Sequence, residues 1–399
     1  MTRSTTTPTT ATLAVLATLT LAACSGGGGA SMGGMPATAD SPAPTSMPGV
    51  MTAPIMVDSD RGGDDLGPDD ANSVLRQLDE QRTIGSTVDP LNGDQNPYGL
   101  AVAQVGAGKI AAGDLVICNF NNAANVQGTG TTIVALHPRP GSNPARVAQD
   151  AALLGCTEVA LAPNGNIWAS AFAANDNPVF TPGGSLVTTL PGGPWHGPFG
   201  QTFAAHAGPF GTAAFYESNA ADGSIVRINI NPGPKFSFDV IATGFAVNHG
   251  VPGSILGPSG LQYDAQHDRL YIVDGTDNTL VAFRHVSTIP AHGIVVNGAS
   301  FGGPFARRAH VVFSGPPLNG PISSALLPGG HLVLGNTLDP NGKNLTVEIT
   351  PHGRLLAVKN VDTGAAGALF GMAASGQRGE ETRLYFNDDN DNTIRVLER

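Results

Sequence analysis

Short apolar runs separated by polar turn residues recur along most of this chain. In the clearest unit, three runs (Gly260–Tyr263, Arg269–Val273 and Thr279–Phe283) are separated by turns rich in Asp, Gly, Thr and Asn. Runs of four to six residues with polar turns between them pair naturally as an antiparallel meander. We therefore predict that each unit of this kind forms a small antiparallel sheet.

The same order of three runs recurs six times. A polar residue near the end of each second run marks the repeat, and these residues are Asn119, Ser170, Glu217, Asp274, Asn336 and Asn387. They are 51, 47, 57, 62 and 51 residues apart, close to the period of about 40–50 residues that is typical of propeller blades. Fourth strands are predicted at 236–241, 310–313 and 355–358, and the third strand of the second unit at 185–187.

The last unit ends with its third run, so one blade lacks an outer strand. The segment Arg82–Val88, which precedes the first unit, can supply it, and this pairing would close the ring and remove a strand edge. The sequence therefore predicts an all-β, six-bladed β-propeller over residues 82–399, with an N-terminal strand closing the last blade. A pair of β-sandwich domains is the alternative architecture.

The first 81 residues have a different composition. An apolar stretch of 13 residues, Ala11–Ala23, is too short to span a bilayer and suits a signal peptide. Leu21-Ala22-Ala23-Cys24 resembles a lipobox, which implies a signal peptide at 1–23 and acylation (palmitate) of Cys24. An ordinary secretory signal is the alternative. Residues 24–57, rich in Gly, Ser, Pro and Met, are interpreted as a flexible tether, and 58–81 as an acidic linker with a short helix over 71–81.

This organisation predicts a cell-envelope protein anchored to a membrane through lipid, on the periplasmic or extracytoplasmic side. The net charge is −11, and Lys and Arg total only 20 of 399 residues without forming a cluster. Nucleic-acid affinity depends on clustered cationic side chains, so no nucleic-acid partner is expected. The sequence contains no HExxH, P-loop or dinucleotide-binding motif, and no GxSxG nucleophile elbow is expected.

The segments Pro258-Ser259-Gly260-Leu261, Leu270–Asp274 and Asn278–Phe283 resemble NHL-type repeats and the wider six-bladed group of SMP-30/gluconolactonase-like proteins. The resemblance covers about residues 82–399 at the level of pattern. It implies the fold, but one fold hosts many functions. No set of four residues in this sequence aligns with the metal ligands of the lactonases, so lactonase activity is not carried over to this chain.

In folds of this type, loops that precede first strands and follow second strands share one face. The candidate binding face comprises Tyr98, Asn119, Trp195, His196, Glu217, His249, Asp274, Asn336 and Asn387. The SMP-30-like group binds a divalent ion near the central mouth, which makes Glu217 and Asp274 candidate ligands for Ca²⁺. Asp and Asn in turns also commonly cap their own backbone, and this is the alternative interpretation.

Cys118 and Cys156 remain after Cys24 is assigned to lipidation. Both are expected on one face of adjacent blades, and an even pair in an oxidising compartment predicts a disulfide. Two small buried residues in packed strands are the alternative.

The sequence favours a binding or scaffold module for a protein, peptide or glycan that acts through its loop face. A metal-dependent, lactonase-like hydrolase with an ion at the channel mouth is the alternative, and whether the protein is an enzyme is left open.

Overall fold

A computed structural model describes residues 72–208, 211–231, 235–377 and 381–399. The predicted signal peptide, Cys24 and the tether lie outside these residues. Apart from three short 3₁₀ turns, the regular elements in the described ranges are β-strands, and they form six sheets. The predicted six-bladed β-propeller is confirmed.

Each of the first three blades is an antiparallel meander whose strands follow one another in the chain. Blade 1 comprises β2 (Gln95–Val102), β3 (Leu115–Asn121), β4 (Thr132–Leu136) and β5 (Ala145–Gln149). Blade 2 comprises β6 (Cys156–Leu161), β7 (Ile167–Ala171), β8 (Pro178–Phe180) and β9 (Leu186–Thr189). Blade 3 comprises β10 (Pro198–Ala204), β11 (Ala214–Asn219), β12 (Ser224–Asn231) and β13 (Lys235–Thr243).

Blade 4 begins the second half of the ring. It comprises β14 (Pro258–Asp264), β15 (Arg269–Asp274), β16 (Thr279–Arg284) and β19 (Ala309–Ser314). The hairpin β17 (Ile294–Asn297) and β18 (Ser300–Gly302) lies before β19 in the chain and extends blade 3 through a parallel pairing with β13. Blade 5 comprises β20 (Pro321–Leu326), β21 (Leu332–Asn336), β22 (Asn344–Ile349) and β23 (Leu355–Asp362).

Blade 6 is closed by the N-terminal strand, as the sequence predicts. It comprises β24 (Met372–Ser375), β25 (Arg383–Asp388), β26 (Thr393–Glu398) and β1 (Glu80–Ser86). The pairing of β1 with β26 is antiparallel and runs from Glu80↔Glu398 to Ser86↔Thr393. The closing strand therefore begins two residues earlier than predicted, and it covers an edge of blade 6 that would otherwise be free to pair with another chain.

The first strands of the six blades contact one another in sequence order around the ring, and β24 contacts β2 to complete it. These strands therefore surround a central channel. Apolar residues of neighbouring sheets form separate cores between the blades, for example Val116, Ile133, Val159 and Phe180 between blades 1 and 2. We call the end of the channel where first strands begin the top face, and the end where they finish the bottom face.

Three local predictions are wrong. In blade 2 the third strand is β8, and the segment predicted as third (185–187) overlaps the start of the fourth strand, β9. The three residues of β8 are too few to stand out as an apolar run. Residues 74–78 form a single turn, and no helix spans the described part of 71–81. The segment 72–79 is also not a solvated linker, since Leu75 and Leu78 are fully buried against blades 5 and 6.

The predicted disulfide between Cys118 and Cys156 is present, with the two Cα atoms 5.9 Å apart. It joins β3 of blade 1 to β6 of blade 2. Among the described residues, no helix has the length and apolar character needed to cross a bilayer.

Candidate functional site

The channel is closed at the top face by an apolar cluster to which all six blades contribute. Its buried members are Tyr98, Phe120, Phe199, Ala220, Ile255, Ile322 and Phe370, with Phe172, Leu256 and Leu338 packed against them. The Tyr98 ring is stacked between Phe370, at a centroid distance of 3.7 Å, and Phe120, at 4.2 Å. Stacked aromatic pairs add about 0.5–1.5 kcal/mol each beyond area burial. We call this cluster the aromatic plug.

The nine residues predicted to form a binding face lie near the top face, but most of them cannot meet a ligand. Seven are buried: Tyr98, Asn119, Trp195, Glu217, Asp274, Asn336 and Asn387. Only His196 and His249 expose their side chains. The buried seven are therefore parts of the fold rather than of an accessible surface.

Hydrogen bonds explain why polar residues recur at the ends of second strands. Nδ2 of Asn336 donates to the carbonyl of Pro317 (2.7 Å), while its Oδ1 accepts from the backbone of Asn319 (3.1 Å). Nδ2 of Asn119 donates to the carbonyl of Thr87 at 3.1 Å. These two side chains fasten the loops that precede the first strands of blades 1 and 5, which agrees with the capping interpretation for these positions.

Trp195 does not form a lip over the channel. Its indole lies between blades 2 and 3, donates from Nε1 to the carbonyl of Leu190 (3.1 Å) and meets Phe238 edge-on. His196 Nε2 is 3.9 Å from Asp222, and His249 lies in a loop before blade 4. His196 and His249 do not contact each other.

Glu217 and Asp274 do not form a shared ion site. Asp274 Oδ1 accepts from the backbone N–H groups of Thr276 and Asp277, so this carboxylate caps its own turn. Glu217 lies inside β11 rather than in a turn, paired with Gln201 of β10. No contact links the two, and within the described ranges no group of three or more His, Cys, Asp and Glu residues is arranged to hold a metal ion. The residues therefore do not fit the predicted Ca²⁺ ion.

Glu217 is instead the centre of a buried polar cluster between blades 2 and 3. Its Oε2 accepts hydrogen bonds from Ser170, Asn177 and Gln201 at 2.8–3.0 Å. Burial raises the pKa of Glu217 well above its usual range, and the nearby Glu158 carboxylate adds to the effect. Burial in a site that solvent does not reach disfavours the charged carboxylate of Glu217.

Glu158 differs in residue type from the equivalent residues of the other five first strands. The equivalent residues of the other blades are Gly99, Gly200, Gly260, Ser323 and Gly371, each just after the point where the strand bulges or its pairing begins. The glycines let neighbouring first strands approach; a Cβ at Gly99 would lie 2.5 Å from the Cα of Glu158. Burial raises the pKa of Glu158 to about 8, although N–H groups of Val159 and Leu100 bond its Oε1.

The acidic turn 387–392 forms ion pairs with an arginine of the same hairpin. The guanidinium of Arg395 lies 2.8 Å from Asp388 and 2.7 Å from Asp391. Because the positive charge is supplied within the hairpin, this turn is a structural ion pair rather than a metal site.

The bottom face carries an open cavity at the end of the channel. We call it the bottom depression; its volume is about 1050 Å³, and it is bounded by the ends of the first strands of blades 1, 4, 5 and 6. Polar residues that line it include Gln104, Asp264, His267, His331, His352 and Ser375. None of these was predicted from the sequence, because only the fold brings residues of blades 1, 4, 5 and 6 together at one rim.

Two of the lining histidines are held by carboxylates. Nδ1 of His267 lies 2.6 Å from Asp264, and Nδ1 of His331 lies 2.8 Å from Glu348. A carboxylate on one ring nitrogen fixes the orientation of the imidazole and leaves Nε2 as the reactive atom. His267 is partly exposed at the rim, whereas His331 is almost fully buried.

The sequence also contains a match to G-x-S-x-G at residues 298–302. A nucleophile elbow requires a sharp turn from a strand into a helix. Here the segment belongs to the β17–β18 hairpin, and the Ser300 hydroxyl donates to the carbonyl of Asn297 at 2.8 Å. This match is therefore not a nucleophile elbow, and it does not identify Ser300 as a catalytic residue.

No family model and no curated protein matches the sequence. Among solved structures, the chain is similar to a catalytically inactive variant of virginiamycin B lyase from Staphylococcus aureus with quinupristin (17% identity, 80% of this chain and 99% of that chain, TM-score 0.46). It is similar to a streptogramin B lyase (15%, 80% and 87%, 0.46) and to a candidate gluconolactonase (13%, 80% and 91%, 0.47). At these identities the likeness concerns the fold alone.

Proposed function

We propose that this protein is a ligand-binding β-propeller that takes a small molecule in the bottom depression. The observation that carries the proposal is the asymmetry of the channel. The aromatic plug closes one end, while the other end opens into a cavity of about 1050 Å³. Pockets of several hundred Å³ with a few convergent polar groups are the usual sites of small ligands.

The bottom depression lies on the face opposite to the loop face that the sequence favours. A partner protein, peptide or glycan at the top face would meet exposed loops and two histidines, since the plug leaves no mouth there. At the bottom face, the imidazoles of His267 and His352 and the Gln104 amide offer hydrogen-bond donors and acceptors around a concave surface.

We further propose that the protein acts at the cell envelope, tethered through a lipid on Cys24. The support is the apolar stretch followed by Leu21-Ala22-Ala23-Cys24. Acyl chains contribute about 0.8 kcal/mol per buried methylene, so more than one chain is required for stable anchoring. Metabolic labelling with a palmitate analogue tests this, with Cys24→Ser as the unlabelled control; equal labelling of both would reject it.

The binding site is tested with a library of fragments observed by saturation-transfer NMR. Ala265→Trp places a large ring at the rim of the depression, where Ala265 is exposed in a turn. Ala124→Trp makes the same change in an exposed loop of the top face and is the matched control. We expect fragments to bind the wild-type protein and the Ala124→Trp variant but not Ala265→Trp.

Fragments that bind all three proteins equally would place the site elsewhere. A complete lack of fragment binding to the wild-type protein would reject the small-molecule proposal as well. Thermal unfolding of the three proteins at one midpoint would show that the tryptophans act locally.

A second candidate function is acid–base catalysis in the same depression, favoured by the His267–Asp264 pair at 2.6 Å. In this arrangement Asp264 orients the imidazole and Nε2 of His267 exchanges the proton with substrate. Fragments with an ester, a lactone or an acidic C–H next to a carbonyl would be converted, and His267→Gln would reduce the rate about 10²–10⁴-fold. Turnover that survives His267→Gln would reject this candidate while leaving the binding proposal intact.

A further inference from the structure

We propose that the ligand carries an apolar arm, which enters a second pocket beside the bottom depression. This inference rests on the proposed function, because the pocket is treated as a subsite of the same binding site. The second pocket has a volume of about 280 Å³ and lies between blades 1, 2 and 3. We call it the side pocket.

The side pocket presents hydrocarbon almost throughout. Its walls include Val105, Ile110, Leu161, Pro163, Pro182 and Phe203. It shares Ala103 and Gln104 with the bottom depression, so the two cavities are neighbours at the end of β2. One ligand can therefore occupy both, with a polar part in the depression and an apolar part in the side pocket.

The wall of the side pocket is formed before any ligand arrives. The backbone of Ala107 pairs with that of Ile110 through bonds of 2.8 and 3.0 Å, and the N–H of Lys109 donates to the carbonyl of Pro182 at 2.9 Å. The Lys109 ammonium also donates to the carbonyl of Val147 (2.8 Å). A loop fixed at three points loses little conformational entropy when a ligand binds.

The volume sets the size of the arm. A dry apolar cavity of about 150 Å³ holds one benzene ring. The side pocket is nearly twice as large, so it accommodates a bicyclic arene or an alkyl chain of roughly six to eight carbons. A single apolar side chain such as that of valine would leave most of it empty.

The depression sets the chemistry of the head group. The side chains that line it include three histidines, two glutamines, Ser375 and Asp264, and among these lining residues there is neither a lysine nor an arginine. An anionic group would lack a fixed positive partner. The structure therefore assigns a neutral, hydrogen-bonding head joined to an apolar arm, a class that includes alkyl and aryl glycosides.

The test uses hexyl, heptyl and octyl β-D-glucopyranosides below their micelle concentrations, with titration calorimetry as the readout. Each methylene that enters the pocket should tighten binding about fourfold. Glucose alone should bind at least tenfold more weakly than the hexyl glucoside. A constant affinity along the series would overturn the proposal.

Two phenylalanine variants of one loop locate the arm. Ala107 lines the side pocket, so Ala107→Phe should fill it and remove the dependence on chain length. Ala112 is exposed a few residues further on and does not line the pocket, so Ala112→Phe should behave as the wild-type protein. Equal effects of the two variants would count against a specific subsite.

The outcomes separate this inference from the function on which it rests. If glucosides bind, are blocked by Ala265→Trp and show no response to chain length or to Ala107→Phe, the depression binds ligands but the side pocket is not a subsite. If Ala107→Phe abolishes binding but Ala265→Trp does not, the side pocket binds apolar molecules alone and the proposed function fails. Absence of binding to the wild-type protein rejects both for this ligand class.

Discussion

The side-chain amide of Asn387 in blade 6 donates a hydrogen bond of 2.6 Å to the backbone carbonyl of Tyr98 in blade 1. The two residues are 289 positions apart, and their contact joins the last blade to the first at the edge of the aromatic plug. Gly371 makes the approach feasible, since a Cβ there would lie 2.0 Å from the same carbonyl oxygen. Ring closure therefore depends on the absence of a side chain at Gly371 as well as on the pairing of β1 with β26.

The first prediction concerns that glycine. Gly371→Ala should destabilise the protein by about 2–3 kcal/mol, because the obstructing atom is backbone and cannot rotate away. Gly183→Ala is the matched control, since its nearest neighbour would be a threonine hydroxyl at 3.6 Å and no positive φ is involved. Urea unfolding measures both, and equal midpoints for the two variants would contradict this account of ring closure.

The fold could be predicted from the sequence because most of the strands in a blade are formed by consecutive segments of the chain. Each strand pairs with the next one in the chain, so a repeat of three apolar runs is enough to show a blade. The segments Pro97-Tyr98-Gly99 and Pro258-Ser259-Gly260 also mark the bulged start of a first strand. Compared across the units, this motif would have shown Glu158 as the exception, a carboxyl at a position that is otherwise Gly or Ser.

The candidate site could not be predicted in the same way because it depends on contacts between distant blades. An Asn or Asp at the end of a strand looks the same in sequence whether it binds a ligand or caps a loop, and only burial separates the two. The plug draws residues from 98 to 370 into one cluster, and the bottom depression draws on residues from 102 to 376. No local pattern carries that information.

The second prediction concerns the disulfide, which closes a loop of 38 residues. In the chain-entropy model, a loop of this length stabilises the native state by about 4 kcal/mol. The double variant Cys118→Ala/Cys156→Ala should lose about that much in denaturant unfolding, less any compensation from repacking. Reduction should destabilise the wild-type protein and leave the double variant unchanged; free thiols in the native wild-type protein would disprove the bridge.

The third prediction concerns a clasp that holds the segment before β1. The Glu348 carboxylate accepts hydrogen bonds from the hydroxyl of Ser73 and from the N–H groups of Val74 and Leu75 at 2.5–3.0 Å. Glu348→Gln should cost about 2–3 kcal/mol, since hydrogen bonds to a buried charged group are lost. It should also expose residues 72–79 to limited proteolysis, whereas Glu80→Gln on the surface should change neither quantity.

The clasp also predicts a loss of stability in acid. Burial alone would raise the pKa of Glu348, but the bonds from His331, Ser73, Leu75 and Val74 outweigh it and hold the pKa below its usual value. A lowered carboxyl pKa stabilises the folded state above the unfolded value of about 4.5, and the contribution disappears as the pH falls through the folded value. Glu348→Gln should therefore flatten the fall in stability below about pH 4.5; a parallel profile would contradict the clasp.

The fourth prediction concerns Glu158, the one carboxyl at a first-strand position that is Gly or Ser in the other blades. The folded protein binds a proton at Glu158 more strongly than the unfolded chain does, because burial raises its pKa from 4.5 to about 8. Stability should therefore fall as the pH rises through this window, since deprotonation is resisted only in the folded state. Glu158→Gln resembles the protonated form of the side chain. At pH 9 this variant should therefore be more stable than the wild-type protein by about 2–3 kcal/mol. This is less than the whole pKa shift of Glu158 implies, because its side chain is only partly buried. Thermal unfolding between pH 5 and 9 measures the difference, with Glu80→Gln as the surface control. If Glu158→Gln instead follows the wild-type stability profile across that range, Glu158 is ionised in the folded protein and water reaches it through the channel.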